Sequence, residues 1–130
     1  MIALDTNIVA RVVLNDDPAQ YAAAMAACSQ EAIIPPTVML ELIWVLRSLG
    51  GLSDHEIQDS LQTLAAKPNL TLGSPEGCAQ FLHLWQSGLD AEDAAHLAFV
   101  GDVDTFVTFD RTFAKRANKA KARVTVELAG

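Results

Sequence analysis

Five short apolar segments, separated by stretches with helix start and stop signals, constrain the fold of this chain more than any other feature. They lie at residues 2–4, 32–34, 70–72, 105–108 and 124–126, and consist almost entirely of aliphatic, β-branched and aromatic residues. Short apolar strands that alternate with helices are typical of a parallel sheet covered by helices on both faces. We therefore expect an α/β fold.

The stretches between these segments carry residues that begin and end helices. Asp17 followed by Pro18 predicts an N-cap and a first helical residue, and Ser53 with Glu56 forms a capping-box pattern. Thr37 is expected to cap the helix that follows the second strand. The expected helices span residues 7–14, 18–29, 38–49, 54–66, 75–85, 91–100 and 112–118.

The length and composition of the chain predict one folded domain. It has 130 residues, 51% of them hydrophobic, and we take residues 1–130 as a single domain. No apolar run reaches the length of a membrane span, and no secretory signal is recognisable at the N-terminus, so a cytoplasmic protein without a membrane partner is expected. Cys28 and Cys78 match no metal or redox spacing and are expected to be free, buried thiols. Trp44 and Trp85 lie in apolar helices and are expected to pack in the core, with a dimer or partner surface as the alternative.

The net charge of −7 is unevenly distributed along the chain. Residues 1–110 carry 15 acids and three bases, whereas residues 111–130 carry six bases and one acid. A basic segment beside an acidic body is the asymmetry expected if one edge of the protein holds phosphates, and a solvated helix face is the alternative. The bases expected to contact such phosphates are Arg111, Lys115, Arg116 and Lys119.

Four acids lie inside otherwise hydrophobic segments: Asp5 in MIALDTNIV, Glu41 in VMLELIWVL, Asp93 in GLDAEDAAHLAF and Asp110 in TFVTFDRTF. Asp5 and Asp110 follow predicted strands, and ligand sites of open α/β sheets lie beyond the carboxyl ends of strands. Glu41 lies one turn into the helix after the second strand, and Asp93 lies in the first turn of the helix before the fourth. All four acids are therefore compatible with one cleft.

Such a cluster requires protons or cations, because two unit charges about 4 Å apart repel by about 4 kcal/mol at an effective dielectric near 20. Mg²⁺ or Mn²⁺ suits carboxylate oxygens, and no His or Cys cluster suggests zinc. A cation held this way can activate a water and polarise a phosphoryl oxygen, which predicts hydrolysis of a phosphodiester. Thr6, Asn7 and Thr108 are expected to orient the ligands or a bound water, with structural roles in the turn as the alternative for Thr6 and Asn7. Asp90 shares a helical face with Asp93 and is a further candidate ligand, with an N-cap role as the alternative.

Four blocks in this order resemble the signature of PIN-domain ribonucleases: L-D-T-N-I, a glutamate in an apolar helix, D-A-A-H-L-A and V-T-F-D-R-T-F. The length and the basic C-terminal segment resemble the toxins of VapBC-type toxin–antitoxin pairs. The resemblance implies a PIN-like fold, a three-layer α/β/α sandwich with a five-stranded parallel sheet. It also implies a homodimer that cleaves RNA endonucleolytically with Mg²⁺ or Mn²⁺ and is restrained by a cognate antitoxin. The residues that match the four acids of the family are Asp5, Glu41, Asp93 and Asp110.

Three alternatives remain open on the sequence. An α/β phosphatase or phospho-acceptor domain would use Asp5 as its nucleophile, although Asn7 stands where halo-acid phosphatases have a second Asp. A non-catalytic binding module would use the four acids only in folding or partner contacts. A PIN-like nuclease acting on flap DNA would keep the fold, although the chain leaves no room for DNA-handling insertions.

Overall fold

A computed structural model of residues 1–130 has seven helices and five strands in the alternating order that the sequence predicts. It contains two compact units, Met1–Gly73 and Ser74–Gly130, which we call the N-terminal and the C-terminal unit. The longest helix has 13 residues, and no helix combines the length and the apolar character needed to cross a membrane.

The N-terminal unit holds a three-stranded parallel sheet with the strand order β1-β2-β3. The register aligns Ile2 with Ala32 and Ala32 with Leu70. Four helices connect and flank these strands. The elements are β1 Ile2–Ala3, α1 Thr6–Leu14, α2 Pro18–Cys28, β2 Ala32–Ile34, α3 Pro36–Ser48, α4 Asp54–Ala65 and β3 Leu70–Leu72.

Helix starts in the N-terminal unit follow the capping residues, with one exception. The Asp17 side chain accepts hydrogen bonds from two backbone N–H groups of α2, and Ser53 forms a reciprocal capping box with Glu56 at α4. Thr37 does not cap α3, so that expectation is wrong. The helix begins at Pro36 with no side-chain cap, because proline at the first position has a suitable φ and no N–H that needs a partner.

The buried face of α3 explains why the expectation for Trp44 is also wrong. Met39, Leu42, Ile43 and Leu46 are buried at the spacing of one helical face. Trp44 projects from another side of the helix, and its exposed fraction is 63%. Helix α3 therefore has more apolar side chains than its buried face can accommodate.

The C-terminal unit holds a two-stranded parallel sheet in which Thr105 pairs with Thr125. Its core includes Phe81, whose ring lies 5.6 Å from that of Trp85 and 6.0 Å from that of Phe99, measured between centroids. The elements are α5 Pro75–Gln86, α6 Ala91–Ala98, β4 Thr105–Thr108, α7 Arg111–Lys119 and β5 Thr125–Leu128.

All strand pairs are parallel, as expected, but the single five-stranded sheet of the expectation is not observed. The hydrogen-bonded strands form one sheet of three and one sheet of two. The apolar pattern indicates which segments become strands, and this part of the prediction is confirmed. It does not specify which strand edges form hydrogen bonds with one another, so the number of strands in each sheet could not be derived from it.

Candidate functional site

Asp5 lies at the junction of β1 and α1, where a two-residue strand with exposed side chains leads through Leu4 into a helix. Leu4 before it is buried, whereas Asp5 itself is exposed in the extended conformation of an N-cap. Its Oδ1 accepts a hydrogen bond of 2.8 Å from the Thr6 N–H. The positive end of the helix dipole favours a carboxylate at this place, and the hydrogen bond restricts its orientation.

Glu41 of α3 and Asp5 line the same surface pocket of the N-terminal unit, which has a volume of about 390 Å³. Thr6 and Asn7 line it beside the two acids. The apolar residues of the lining come from α1 and α3. The remaining lining residues are Ala10, Arg11, Leu14, Asp16, Val45 and Leu49.

Arg11 is a cation in this pocket that the sequence reasoning did not select. Its Nη1 lies 2.8 Å from Asp16 Oδ1, and its Nε donates to Gln20 Oε1 at 2.9 Å. The sequence contains a sign of this position: Asn7, Arg11 and Leu14 are spaced so that they lie on one face of a helix. The pocket therefore combines three carboxylates, those of Asp5, Asp16 and Glu41, with a guanidinium whose position is restrained by one of them.

The side chain of Thr6 is buried, and its Oγ1 has no hydrogen-bond partner. An unsatisfied buried hydroxyl costs on the order of 1–3 kcal/mol, so such a group in a native fold calls for an explanation. Thr6 is adjacent to Asp5 and lines the same pocket. The hydroxyl has almost no accessible surface, so a ligand in the pocket reaches it only after the side chain rotates.

In the C-terminal unit, Asp93 is half-buried in the first turn of α6. Burial raises the pKa of its carboxyl group, and the negative charge of Asp90 raises it further; His96 opposes the shift, while Asp110 and Glu92 add to it. Asp90 occupies the N-cap position of α6, yet its side chain makes no capping hydrogen bond. Burial and the neighbouring carboxylates therefore disfavour the charged form of Asp93, which is the situation that a cation relieves.

Asp110 caps α7 through its Oδ1, which accepts the Phe113 N–H at 2.9 Å. The hydroxyl of Thr108 accepts the backbone N–H of Asp110 at 3.0 Å, which ties the end of β4 to the start of α7. The capping roles of Asp5 and Asp110 were missed on the sequence, because both acids were considered only as ligands. Capping leaves each carboxylate with a second oxygen for another partner.

The four bases expected to bind RNA lie on α7, an amphipathic helix whose buried face contains Phe113, Ala114 and Ala117. All four are exposed. Arg116 and Lys119 lie in the last turn, where the helix dipole favours positive charge. The exposed bases of α7 are Arg111, Lys115, Arg116 and Lys119.

Within each unit, the structure brings some of the predicted acids into proximity. Asp5 and Glu41 share one pocket, and Asp93 interacts electrostatically with Asp90 and Asp110. No group of three or more His, Cys, Asp or Glu side chains is arranged so as to hold a metal ion. The donor chemistry nevertheless fits a hard divalent cation, because carboxylate and hydroxyl oxygens are its preferred ligands.

Comparison with protein families gives a match to the PIN domain over residues 2–119. Comparison with curated proteins gives no match, and comparison with solved structures gives none either. The matched range contains all four of the acids selected from the sequence and all four of the bases on α7.

Proposed function

The chain belongs to the PIN domain family, whose members are generally metal-dependent nucleases, and from this premise we propose that it is a metal-dependent endoribonuclease. The observation that carries the proposal is the pocket shared by Asp5, the N-cap of α1, and Glu41 of α3. We propose Asp5, Glu41, Asp93 and Asp110 as the ligands of Mg²⁺ or Mn²⁺, with Asp90 as a further candidate.

When bound, a divalent cation polarises a phosphoryl oxygen and lowers the pKa of a water. The residues of the chain have supporting tasks. The Thr6 N–H restricts the orientation of the Asp5 carboxylate, and Thr108 does the same for the backbone of Asp110. Arg11 is positioned by Asp16 to interact with a phosphate that enters the pocket. The bases of α7 hold the RNA backbone.

The biological role that we propose is that of the toxin of a type II toxin–antitoxin system, active in the cytoplasm as a homodimer and restrained by a cognate antitoxin. Two features support it: the four sequence blocks in their order, and the basic segment at residues 111–123. Homodimers are also the commonest closed assemblies. In this proposal residues 1–130 act as a single PIN domain, in keeping with a family match that spans both units.

The test is RNA cleavage by the Asp5→Asn protein in Mg²⁺, in Mn²⁺ and in EDTA. We expect wild-type cleavage with either ion, no cleavage in EDTA, and none by the variant, whose induced expression should no longer arrest growth. Asp59→Asn is the matched control, because Asp59 is an exposed acid of the same unit that lies outside the pocket. Full activity of a folded Asp5→Asn protein would refute the assignment, and a phosphorylated Asp5 detected by mass spectrometry would favour a phosphatase instead.

A further inference from the structure

The turn between α7 and β5 is a basic element that the proposed metal site does not use. We call residues 120–123 the basic turn. Lys121 adopts a left-handed backbone conformation with φ 57°, and the turn is closed by hydrogen bonds from the N–H groups of Lys121 and Ala122 to carbonyls of α7. Lys121 and Arg123 project from it as exposed cations.

Helix α5 holds the basic turn at both of its ends. His83 Nε2 lies 3.0 Å from the carbonyl oxygen of Ala120, a hydrogen bond in which the imidazole donates. Gln80 Oε1 accepts the backbone N–H of Arg123 at 3.1 Å and the Arg123 Nε at 3.2 Å. Gln80 is itself buried, with an exposed fraction of 8%. A buried amide therefore positions both the backbone and the side chain of a surface arginine.

The outer nitrogens of Arg123 remain weakly engaged. Nη1 lies 4.0 Å from Glu76 Oε2, and Nη2 lies 3.5 Å from the Glu76 carbonyl oxygen. The Glu76 side chain is 89% exposed, and an ion pair of this length and exposure contributes little. Since a guanidinium has five donors, Arg123 keeps donor capacity on the side away from Gln80.

Arg123 and Lys121 line a surface pocket of about 420 Å³ together with Glu76, Ala79 and Gln80. The planar fork of an arginine matches two oxygens of a phosphate, and a lysine adds a point charge to the same group. Because Gln80 holds the Arg123 side chain in advance, little rotamer freedom is lost when an anion binds. The pocket therefore has the donors and the rigidity of a phosphate site.

We propose that this pocket binds a phosphate of the RNA backbone, as a contact additional to those of α7. The proposal rests on the proposed nuclease function for the identity of the ligand. Lys119, the last residue of α7, is followed two residues later by Lys121, so the cations of the helix continue into the pocket. Ala79 is the one apolar residue of the lining, which offers an acidic peptide little surface to bury, whereas a nucleic-acid backbone needs charge and donors.

The test is the binding of a short, unstructured, single-stranded RNA to the full chain in EDTA, measured by fluorescence anisotropy over a series of salt concentrations. Arg123→Gln should weaken binding and reduce the slope of log K against log salt by about 0.7, the value for one lost phosphate contact. Between 50 and 200 mM salt, its affinity should fall about threefold less than that of the wild type. Lys121→Gln should act in the same direction, whereas Glu76→Gln should tighten binding.

Two controls separate this site from a general effect of charge. Lys67→Gln makes the same change of charge at an exposed residue of the N-terminal unit and should leave the slope unchanged. Arg123→Lys keeps the charge but removes the fork, so it should lower the affinity and keep the slope. Equal effects of Arg123→Gln and Lys67→Gln, or no tightening by Glu76→Gln, would overturn the proposal, provided that thermal melts show folded variants.

Inorganic phosphate, added at constant ionic strength, distinguishes an RNA site from a site for free phosphate. We expect millimolar phosphate to leave the RNA affinity unchanged, and displacement of the RNA by phosphate at that level would overturn the RNA assignment. The binding assay is independent of catalysis. If the wild type cleaves RNA and Arg123→Gln has no effect on RNA binding, only this inference is refuted. If Arg123→Gln weakens RNA binding and the wild type does not cleave RNA, only the nuclease function is refuted.

Discussion

The two units of the chain present their carboxylates in different electrostatic settings. Residues 1–73 carry eight acids and three bases, whereas residues 74–130 carry eight acids and six bases. In the N-terminal unit, Asp5 and Glu41 border a pocket that also contains the guanidinium of Arg11. In the C-terminal unit, Asp93 is half-buried and is influenced by the charges of Asp90 and Asp110.

This difference shows two ways in which a fold can keep an unfavourable or unsatisfied interaction. The C-terminal unit keeps like charges close to a half-buried carboxyl group, which raises the pKa of Asp93. The N-terminal unit keeps a buried hydroxyl, Thr6 Oγ1, without a hydrogen-bond partner beside Asp5. Both features lower the stability of the ligand-free protein, and strain of this kind concentrates at functional sites.

The largest expected effect concerns whether the two units fold as one. Phe81→Ala removes the central ring of the C-terminal core and should destabilise the protein by about 3–5 kcal/mol. Amide hydrogen exchange measured by mass spectrometry follows the two units separately, because each peptide belongs to residues 1–73 or to residues 74–130. We expect Phe81→Ala to increase exchange in the buried segments of both units together. An increase confined to residues 74–130 would mean that the units unfold independently.

Asp93→Asn should separate function from stability. We expect cleavage to fall by more than about 100-fold, the upper end for residues that merely support metal ligands. Without metal, the variant should be more stable than the wild type near neutral pH, because the raised pKa of Asp93 means that its ionisation opposes folding. The gain in stability of Asp93→Asn over the wild type is complete above the folded-state pKa of Asp93. It disappears as the pH falls below the unfolded-state pKa.

Denaturant unfolding in EDTA from acidic to neutral pH measures how much the ionisation of Asp93 changes the free energy of unfolding. Asp102→Asn is the control, because it removes an exposed acid from the same unit. A wild-type protein that equals or exceeds Asp93→Asn in stability at neutral pH would contradict the electrostatic comparison. Unchanged cleavage by the variant would remove Asp93 from the proposed ligands.

Thr6→Val tests the corresponding feature of the N-terminal unit. Valine keeps the branched shape and removes the unpartnered hydroxyl, so the metal-free protein should gain on the order of 1 kcal/mol in stability. If the hydroxyl supports the site, the affinity for Mn²⁺ measured by calorimetry should fall about tenfold. Thr6→Ser keeps the hydroxyl and is the matched control. A destabilised Thr6→Val protein with unchanged metal affinity would show that the hydroxyl has neither role.

The elements of the fold were predictable because their signals are local. The Asp17–Pro18 cap and the Ser53–Glu56 capping box act within one turn of the chain, and both are present in the structure. The exposure of Trp44 was not predictable, since it depends on which face of α3 the rest of the unit covers. The pairing of the strands depends on contacts between distant segments in the same way.

The candidate site was predictable to a similar extent. An acid within an apolar segment is visible in the sequence, and this pattern indicates Asp5, Glu41, Asp93 and Asp110. The buried Gln80 and its hydrogen bonds to Arg123 are not visible, because they join residues 43 positions apart on elements with no shared motif. Electrostatic coupling such as that of Asp93 with Asp110 also requires coordinates.

The smallest expected effect concerns Asp90, which occupies the N-cap of α6 without a capping hydrogen bond. Asp17 makes two such bonds at α2, so Asp17→Ala should lose about 1 kcal/mol of stability, whereas Asp90→Ala should lose only a few tenths. Asp90→Ala should also lower the pKa of Asp93, measured by NMR titration in EDTA, because the charge of Asp90 contributes to its elevation. Equal losses of stability would show that Asp90 is an ordinary cap, whereas a small loss accompanied by weaker Mn²⁺ binding would identify it as a ligand.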